Sequence, residues 1–374
     1  MKKIISLIFI VLLVSCGSKR GGGVVSNAPR AEYAKWFTIN YKNGYRVVEV
    51  VNPWDTTKIL QRYILVDKDK ALPDSLPEGL LVRTPVKRIV ASSSIDVAIV
   101  EKLGVLGSVV GCSEAKYITN ASVVKRVTEG KIVDLGSVNK MAVEKLVVLK
   151  PDLIFAAPFN GEDYGVLGKA GIPIAEVASY MEYTPLGRCE WIKFYAEFLG
   201  KQQKADSIFT VVKDSYKNIL KKVDTITSKP KLLVEKRYGQ VWYVPCGGSY
   251  AVNLYNDAGA FYPWKDSEGA GSLSLSFEEV YSKAHDADIW LFRYFNTECD
   301  MTYDMLKAEY PQYASFAAFK NKRIFACNTA KVDYYGTISL QPEMELRDIV
   351  KILHPSLFVD VPMVYYKNLS ENEK

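Results

Sequence analysis

Histidine, the commonest side chain in acid–base and metal sites, occurs in the chain only as His285 and His354. His285 stands in His-Asp-Ala-Asp at the end of an expected helix, and His354 in Leu-His-Pro after another, so both read as capping or packing residues. Two imidazoles are too few for a site that holds a bare transition metal through several of them. The six cysteines (16, 112, 189, 246, 299 and 327) are scattered, and no Cys-x-x-Cys pair suggests a zinc knuckle or a redox centre. Gly247-Gly248-Ser249 lacks the second glycine of a nucleophile elbow, and no Walker-type lysine loop is present. Ser92-Ser93-Ser94 offers hydroxyls, but their base would have to be one of the two histidines already assigned elsewhere. Nothing points to a pair of carboxylates for acid–base work. The residues therefore imply binding, with no catalytic group and no resident metal or cofactor.

Two kinds of residue suit binding. Aromatic side chains fall just after expected strands: Phe159, Tyr180, the pair Trp242-Tyr243, Tyr294-Phe295 and Tyr334-Tyr335. In open α/β sheets ligands sit beyond the carboxyl ends of the strands, where such rings supply flat walls and hydroxyl donors. Arg293, beside Tyr294, would face an anionic group of the ligand. Glu144 and Glu278 form the second kind. Each lies near the start of an expected helix, off its apolar stripe, whereas Glu279 has a structural duty in a capping box with Ser276. Exposed ion pairs contribute about 0–1 kcal/mol each, which favours orientation and reversible docking over tight binding.

These residues must be held by something. The chain has 374 residues, 48% apolar and 24% charged. That balance excludes disorder along most of the length, and the length suggests about two domain-sized units. A net charge of +6 without a basic cluster gives no nucleic-acid surface. Lys2-Lys3 and the apolar run Ile4 to Val14 have the shape of a signal peptide over 1–15 and are too short to span a bilayer. Residues 16–31, beginning at Cys16, read as a tether rich in glycine and charge. With Cys16 set aside five thiols remain, so at least one is unpaired, and the pairing of the others is open.

Over 32–84 alternating aromatic and β-branched residues around Asn43-Gly44 predict a small β extension with a hairpin. From 85 the rhythm becomes strand, loop, helix. Strands are expected at Arg88–Val90, Val109–Gly111, Leu153–Ala156 and Ile172–Val177, with helices from Ser93 to Leu103 and from Met141 to Lys150. A second α/β run over 225–368 has strands at Leu232–Val234, Val241–Val244, Ile289–Phe292 and Arg323–Ala326, with helices at Ser276–Lys283 and Met344–Leu353. Between the runs, over 201–224, apolar residues recur at helical spacing from Ala205 to Val223, predicting one rod about 30 Å long. The fold class is α/β: two Rossmann-like lobes, 85–200 and 225–368, joined by that helix. The lobes echo each other. Val-Glu-Lys-Leu before Pro-Asp-Leu-Ile-Phe (143–155) parallels Phe-Glu-Glu-Val before Ala-Asp-Ile-Trp-Leu (277–291).

These stretches, together with Arg88-Ile89-Val90-Ala91-Ser92 and the segment Val143 to Ile154, resemble the periplasmic solute-binding proteins of ABC importers for ferric siderophores, haem and vitamin B12, over about 85–355. Leu13-Val14-Ser15-Cys16-Gly17 resembles the lipobox of bacterial lipoproteins, which implies that Cys16 is lipidated. The family resemblance implies two lobes with small hinge motion. It also implies that Glu144 and Glu278 meet arginines of the importer's membrane subunits. The 32–84 extension departs from the simplest members. Relatives that hold bare zinc or manganese use several histidines, so an organic chelate is expected.

The leading expectation is thus a monomeric periplasmic lipoprotein, membrane-anchored, that binds an iron chelate (siderophore or haem) or corrinoid between its lobes and passes it to an ABC importer. The ligand-binding candidates are Phe159, Tyr180, Trp242, Tyr243, Arg293, Tyr294 and Tyr334. The alternatives are a hydrolase or lyase reusing the bilobed fold, and a scavenging lipoprotein without an importer.

Overall fold

The computed structural model describes residues 31–137, 141–159, 164, 168 and 171–372. Cys16 and the expected signal segment lie outside the described residues.

The chain first builds a four-stranded sheet from β1 (Phe37–Tyr41), β2 (Arg46–Val51), β3 (Ile59–Asp67) and β4 (Leu80–Thr84). The Asn43-Gly44 turn joins β1 and β2 as an antiparallel hairpin, and Gly44 supplies the positive φ of +86° that the turn needs. β4 then returns parallel to β3. The sheet is bolted to the body by carboxylates. Glu190 accepts the backbone N–H groups of Glu32, Tyr33 and Ala34, and Glu182 those of Lys35 and Trp36. Arg46 pairs with Glu197 at 3.0 Å. Phe37 packs edge-on to Trp191, with ring centroids 4.9 Å apart.

The first lobe holds β5 (Ile89–Ala91), α1 (Ser94–Lys102), β6 (Val109–Cys112), α2 (Ala121–Thr128), β7 (Val133–Asp134), α3 (Val143–Leu149), β8 (Leu153–Ala156) and β9 (Ile174–Glu176). Its five strands are all parallel, in the order β7-β6-β5-β8-β9, and are buried along β5, β6 and β8. The capping box at Ser93 and Asp96 opens α1, and Gly104 follows its end in the left-handed region.

Two helices follow. α4 (Pro185–Leu199) is buried on nearly every side, so its sequence shows no amphipathic period. Its ends are nonetheless written locally. Thr184 caps the N-terminus, Pro185 takes the first turn, and Gly200 closes the helix in the left-handed conformation. α5 (Gln202–Val223) is the expected rod of 22 residues, burying Ala205, Phe209, Val212, Tyr216 and Ile219 along one stripe. At the helical rise per residue it is about 33 Å long.

The second lobe runs β10 (Leu232–Val234), β11 (Arg237–Tyr238), β12 (Val241–Pro245), α6 (Tyr250–Asp257), β13 (Ser272–Leu275), α7 (Phe277–Ala284), β14 (Ile289–Tyr294), α8 (Tyr303–Glu309), α9 (Ala317–Lys320), β15 (Ile324–Asn328), α10 (Tyr334–Thr337), α11 (Pro342–Leu353) and β16 (Lys367–Asn368). β10, β14 and β15 are parallel, and β16 adds antiparallel to β15. Val241–Val244 belongs to a separate antiparallel sheet, β11-β12-β13, because a tight turn at Gly239-Gln240 folds it straight back on β11.

The echo between lobes has a physical basis. Asp152 accepts the N–H groups of Lys87 and Arg88 at 2.8 and 3.1 Å, just before β5. Asp288 accepts the N–H of Lys231 at 2.7 Å, just before β10. In each lobe the aspartate's own N–H also donates back, to the carbonyl of Arg88 or of Lys231. The two aspartates thus set the register of the same pair of parallel strands, β5 with β8 and β10 with β14.

Candidate functional site

Parallel strands leave their carboxyl ends on one edge, and in the second lobe that edge carries a cavity of about 850 Å³. β14 ends on Arg293 and Tyr294, and both line the cavity together with the following Phe295. Glu235, the residue after β10, stands beside them. The antiparallel sheet forms the facing wall with Tyr238, Tyr243, Pro245 and Ser272. Met301, Met305 and Glu309 close one side from α8 and the segment before it, and Tyr335 closes another. The volume suits a drug-sized organic ligand.

Strand geometry decides which aromatics reach this space. On β12 successive side chains point to opposite faces. Tyr243 is 45% exposed and faces the cavity, whereas Trp242 is fully buried. Its ring packs on Trp290, Tyr313 and Phe316, and its Nε1–H donates to the Val234 carbonyl at 3.0 Å. The expectation that Trp242 contacts ligand is therefore corrected: on β12 its side chain points into the core, away from the cavity that Tyr243 lines. Tyr334 also lies behind the lining, 3% exposed, while its neighbour Tyr335 is exposed and reaches the cavity.

Phe159 and Tyr180 are exposed and follow β8 and β9 in the first lobe. Their rings lie 6.2 Å apart, and the Tyr180 hydroxyl donates to the Pro158 carbonyl at 2.5 Å. They are not among the residues lining the 850 Å³ cavity. The lobes meet where α1, which follows β5, packs on α10, which follows β15, and where α4 packs on α6 and α11.

The cavity's charges are mostly matched in pairs. Arg293 Nη2 donates to Glu235, and Lys236 pairs with Glu309 at 2.5 Å. Arg237 lays its guanidinium over the Tyr310 ring at 3.9 Å and donates to Gln240; among the described residues it has no carboxylate partner. Behind the lining, Arg293 Nη1 donates to the Tyr334 hydroxyl at 3.1 Å, which donates to Glu345 Oε1 at 2.5 Å. Tyr366 donates to the same oxygen at 3.1 Å. Burial pushes the Glu345 carboxyl up, against the pull of Tyr334, Arg293 and Tyr366. Burial also pushes the Tyr294 phenol up to about 12, and its hydroxyl accepts the N–H of the lining residue Met301 at 2.8 Å. Sequence reasoning misses Glu235, Arg237, Met301 and Met305. A positive φ at Glu235 leaves no mark in the sequence, and a methionine after a strand reads equally well as core.

Among the described residues no three His, Cys, Asp or Glu side chains converge to hold a metal ion, and all five described cysteines are free thiols. His285 ends α7, its Nδ1 against the Tyr281 carbonyl at 3.0 Å, and His354 ends α11. Glu144 and Glu278 each occupy the second position of their helices, α3 and α7. Both are exposed, and neither is ion-paired among the described residues.

A sequence model of the family described as periplasmic binding protein matches residues 89–330, well over half of the chain. The chain belongs to this family. The binding protein is also 29% identical to an uncharacterized lipoprotein of Methanocaldococcus jannaschii, over 96% of this chain and 94% of that one. A second uncharacterized lipoprotein of the same organism is 29% identical over 89% of this chain and 85% of its own length. The fold of the present chain matches that of the TroA-like periplasmic binding protein FepB of Veillonella parvula, with a TM-score of 0.58 at 18% identity, covering 77% of this chain and 96% of that one. It matches the vitamin B12 binding protein BtuF of Vibrio cholerae, with a TM-score of 0.53 at 17% identity over 73% and 98% of the two chains. A periplasmic haem binding protein of Pseudomonas aeruginosa gives a TM-score of 0.57 at 17% identity, over 72% and 94%.

Proposed function

We propose that this periplasmic binding protein carries an iron chelate (siderophore or haem) or a corrinoid, and delivers it to the membrane subunits of an ABC importer. The observation that carries this reading is the 850 Å³ cavity at the carboxyl ends of the second lobe's strands, which combines the rings of Tyr243, Tyr294, Phe295 and Tyr335 with the cation Arg293. Rings give area to a bulky organic shell, and the guanidinium gives a charged anchor to its acidic groups. Phe159 and Tyr180 would meet the same ligand from the first lobe. Relatives named as haem and vitamin B12 binding proteins share the fold, which supports the size class of ligand.

In this reading the chain divides as its sequence suggests: signal peptide 1–15, tether 16–31 lipidated at Cys16, extension 32–84, lobes 85–200 and 225–368, and a bridge over 201–224. Two relatives named lipoproteins support the anchor. The protein would work as a monomer in the periplasm and catalyse nothing. Glu144 and Glu278 would present one carboxylate per lobe to the importer, each at an N-terminal helical turn that favours negative charge. The test is absorbance and native mass spectrometry of the purified protein offered a ferric siderophore, haem and cobalamin side by side. One retained chelate per chain is expected, and retention of none overturns the reading.

A further inference from the structure

The cavity holds its own anion against its own cation. Glu235 follows β10 with φ +58°. Such a left-handed backbone is unfavourable for a residue that carries a side chain. The backbone is fixed there from both sides: its N–H donates to the Leu291 carbonyl at 2.9 Å, and its carbonyl accepts Nε1–H of the fully buried Trp290 at 2.7 Å. A strained position held this firmly is a candidate for function. The result is a carboxylate on the cavity wall, bonded to Arg293 Nη2. The two side chains keep 22% and 30% of their surface exposed, so an incoming group can reach the pair and the displaced carboxylate can turn to water.

Arg293 does not depend on Glu235 for its place. Its other arm donates to Tyr334, which Glu345 and α11 hold from behind. The guanidinium therefore has a rear support that stays when the front partner leaves. The remaining acid of the lining, Glu309, is taken up by Lys236.

We propose that Glu235 is a built-in counter-anion that a negatively charged group of the ligand must displace from Arg293, and that it thereby sets which ligand charge the cavity accepts. This rests on the reading of the cavity as a chelate site. Two anions cannot share one face of a guanidinium without repulsion, so a ligand enters fully only when its acidic group binds Arg293 better than Glu235 does. A neutral ligand leaves the pair intact.

The test is isothermal titration of wild-type protein, E235Q and E309Q with ferric citrate and haem as anionic probes and cyanocobalamin as a neutral one. E235Q should bind the anionic probe about tenfold more tightly, or ~1.4 kcal/mol, with cyanocobalamin unchanged. E309Q leaves the Arg293 pair in place but frees Lys236 at the cavity wall, so it measures the effect of added positive charge alone; E235Q should exceed it, and an equal gain by the two variants would overturn the inference. E235N, whose side chain tolerates the left-handed backbone but is short for Arg293, supplies a second variant should E235Q fold poorly. Unchanged or weakened binding of an anionic probe by folded E235Q and E235N, where wild type binds it, overturns the inference while leaving the chelate reading in place. So does a cavity that takes only cyanocobalamin. If wild type and all variants bind none of the three, the chelate reading itself fails and the inference falls with it.

Discussion

Replacing Tyr334 by Phe removes one oxygen from the support of Arg293 and little else. The ring is 3% exposed and packs at 5.3 and 5.4 Å against Tyr335 and Tyr365, contacts that phenylalanine keeps. Two hydrogen bonds disappear, the one accepted from Arg293 at 3.1 Å and the one donated to Glu345 at 2.5 Å. Each involves a charged partner, worth about 1.5–3 kcal/mol. Glu345 keeps Tyr366 and can escape further cost by taking a proton, because burial already raises its carboxyl. We therefore expect a loss of about 2–4 kcal/mol near neutral pH. With roughly 2 cal/mol/K of unfolding entropy per residue, that lowers Tm by about 3–5 °C. The pH dependence has a definite sign. Losing the Tyr334 donor raises the Glu345 pKa further, so the protonated native state is favoured and the deficit relative to wild type shrinks as pH falls. Calorimetric melts of both proteins at pH 8 and pH 5 read this out. Equal Tm values at pH 8, or a deficit that grows toward pH 5, would show that the hydroxyl does not hold this network together.

Three further outcomes follow from the same structure. Charge reversal at both docking glutamates (E144K with E278K) puts cations at two helix N-termini, costing about 0.3–1 kcal/mol each, so melting shifts little and chelate affinity holds. Importer-dependent uptake in reconstituted vesicles should be lost, whereas a scavenger would show no change in ligand capture or uptake. Asp96 is fully buried, and burial pushes it up to about 6 despite hydrogen bonds from Tyr195, Ser93 and Ser92. Its protonated form suits the native state, so the stability it contributes is present below about pH 4 and is lost as pH rises through about 6; D96N, which cannot ionise, should gain on wild type by up to ~2–3 kcal/mol between pH 4 and pH 8 in chemical denaturation. At Gly247 a Cβ would lie 2.1 Å from the Lys265 carbonyl oxygen and 2.6 Å from that of Ser267, both backbone atoms. Gly247→Ala should therefore cost about 3 kcal/mol in the same assay, and a change under about 1 kcal/mol would mean the loop yields freely.

The parts of the fold that can be read from sequence are those written locally. α5 begins and ends where its apolar stripe does, and the capping boxes of α1 and α7 stand where Ser93 and Ser276 place them. α4 escapes such a reading, because a helix buried all round has no polar face to mark its period; its Thr-Pro start and Gly stop are the available signals. β12 is legible as a strand but not as part of an antiparallel sheet, since strand sequence alone does not name the partner. Around the cavity, looking just beyond strand ends leads to Tyr243, Arg293 and Tyr294. The same rule also picks Trp242, where the alternation along β12 separates the two neighbours. Glu235 and the Glu345 support come from a backbone angle and from a helix distant in sequence, neither of which pattern or spacing expresses.

The most direct test compares native mass spectra and absorbance of wild-type protein and the double variant Tyr243→Ala, Arg293→Met, each incubated with a ferric siderophore, haem and cobalamin. One chelate per wild-type chain is expected, of a single chemical class, and none on the double variant. A chelate held equally by both proteins would place the binding site elsewhere, and a wild-type protein that holds none would contradict the assignment of this cavity to a metal chelate.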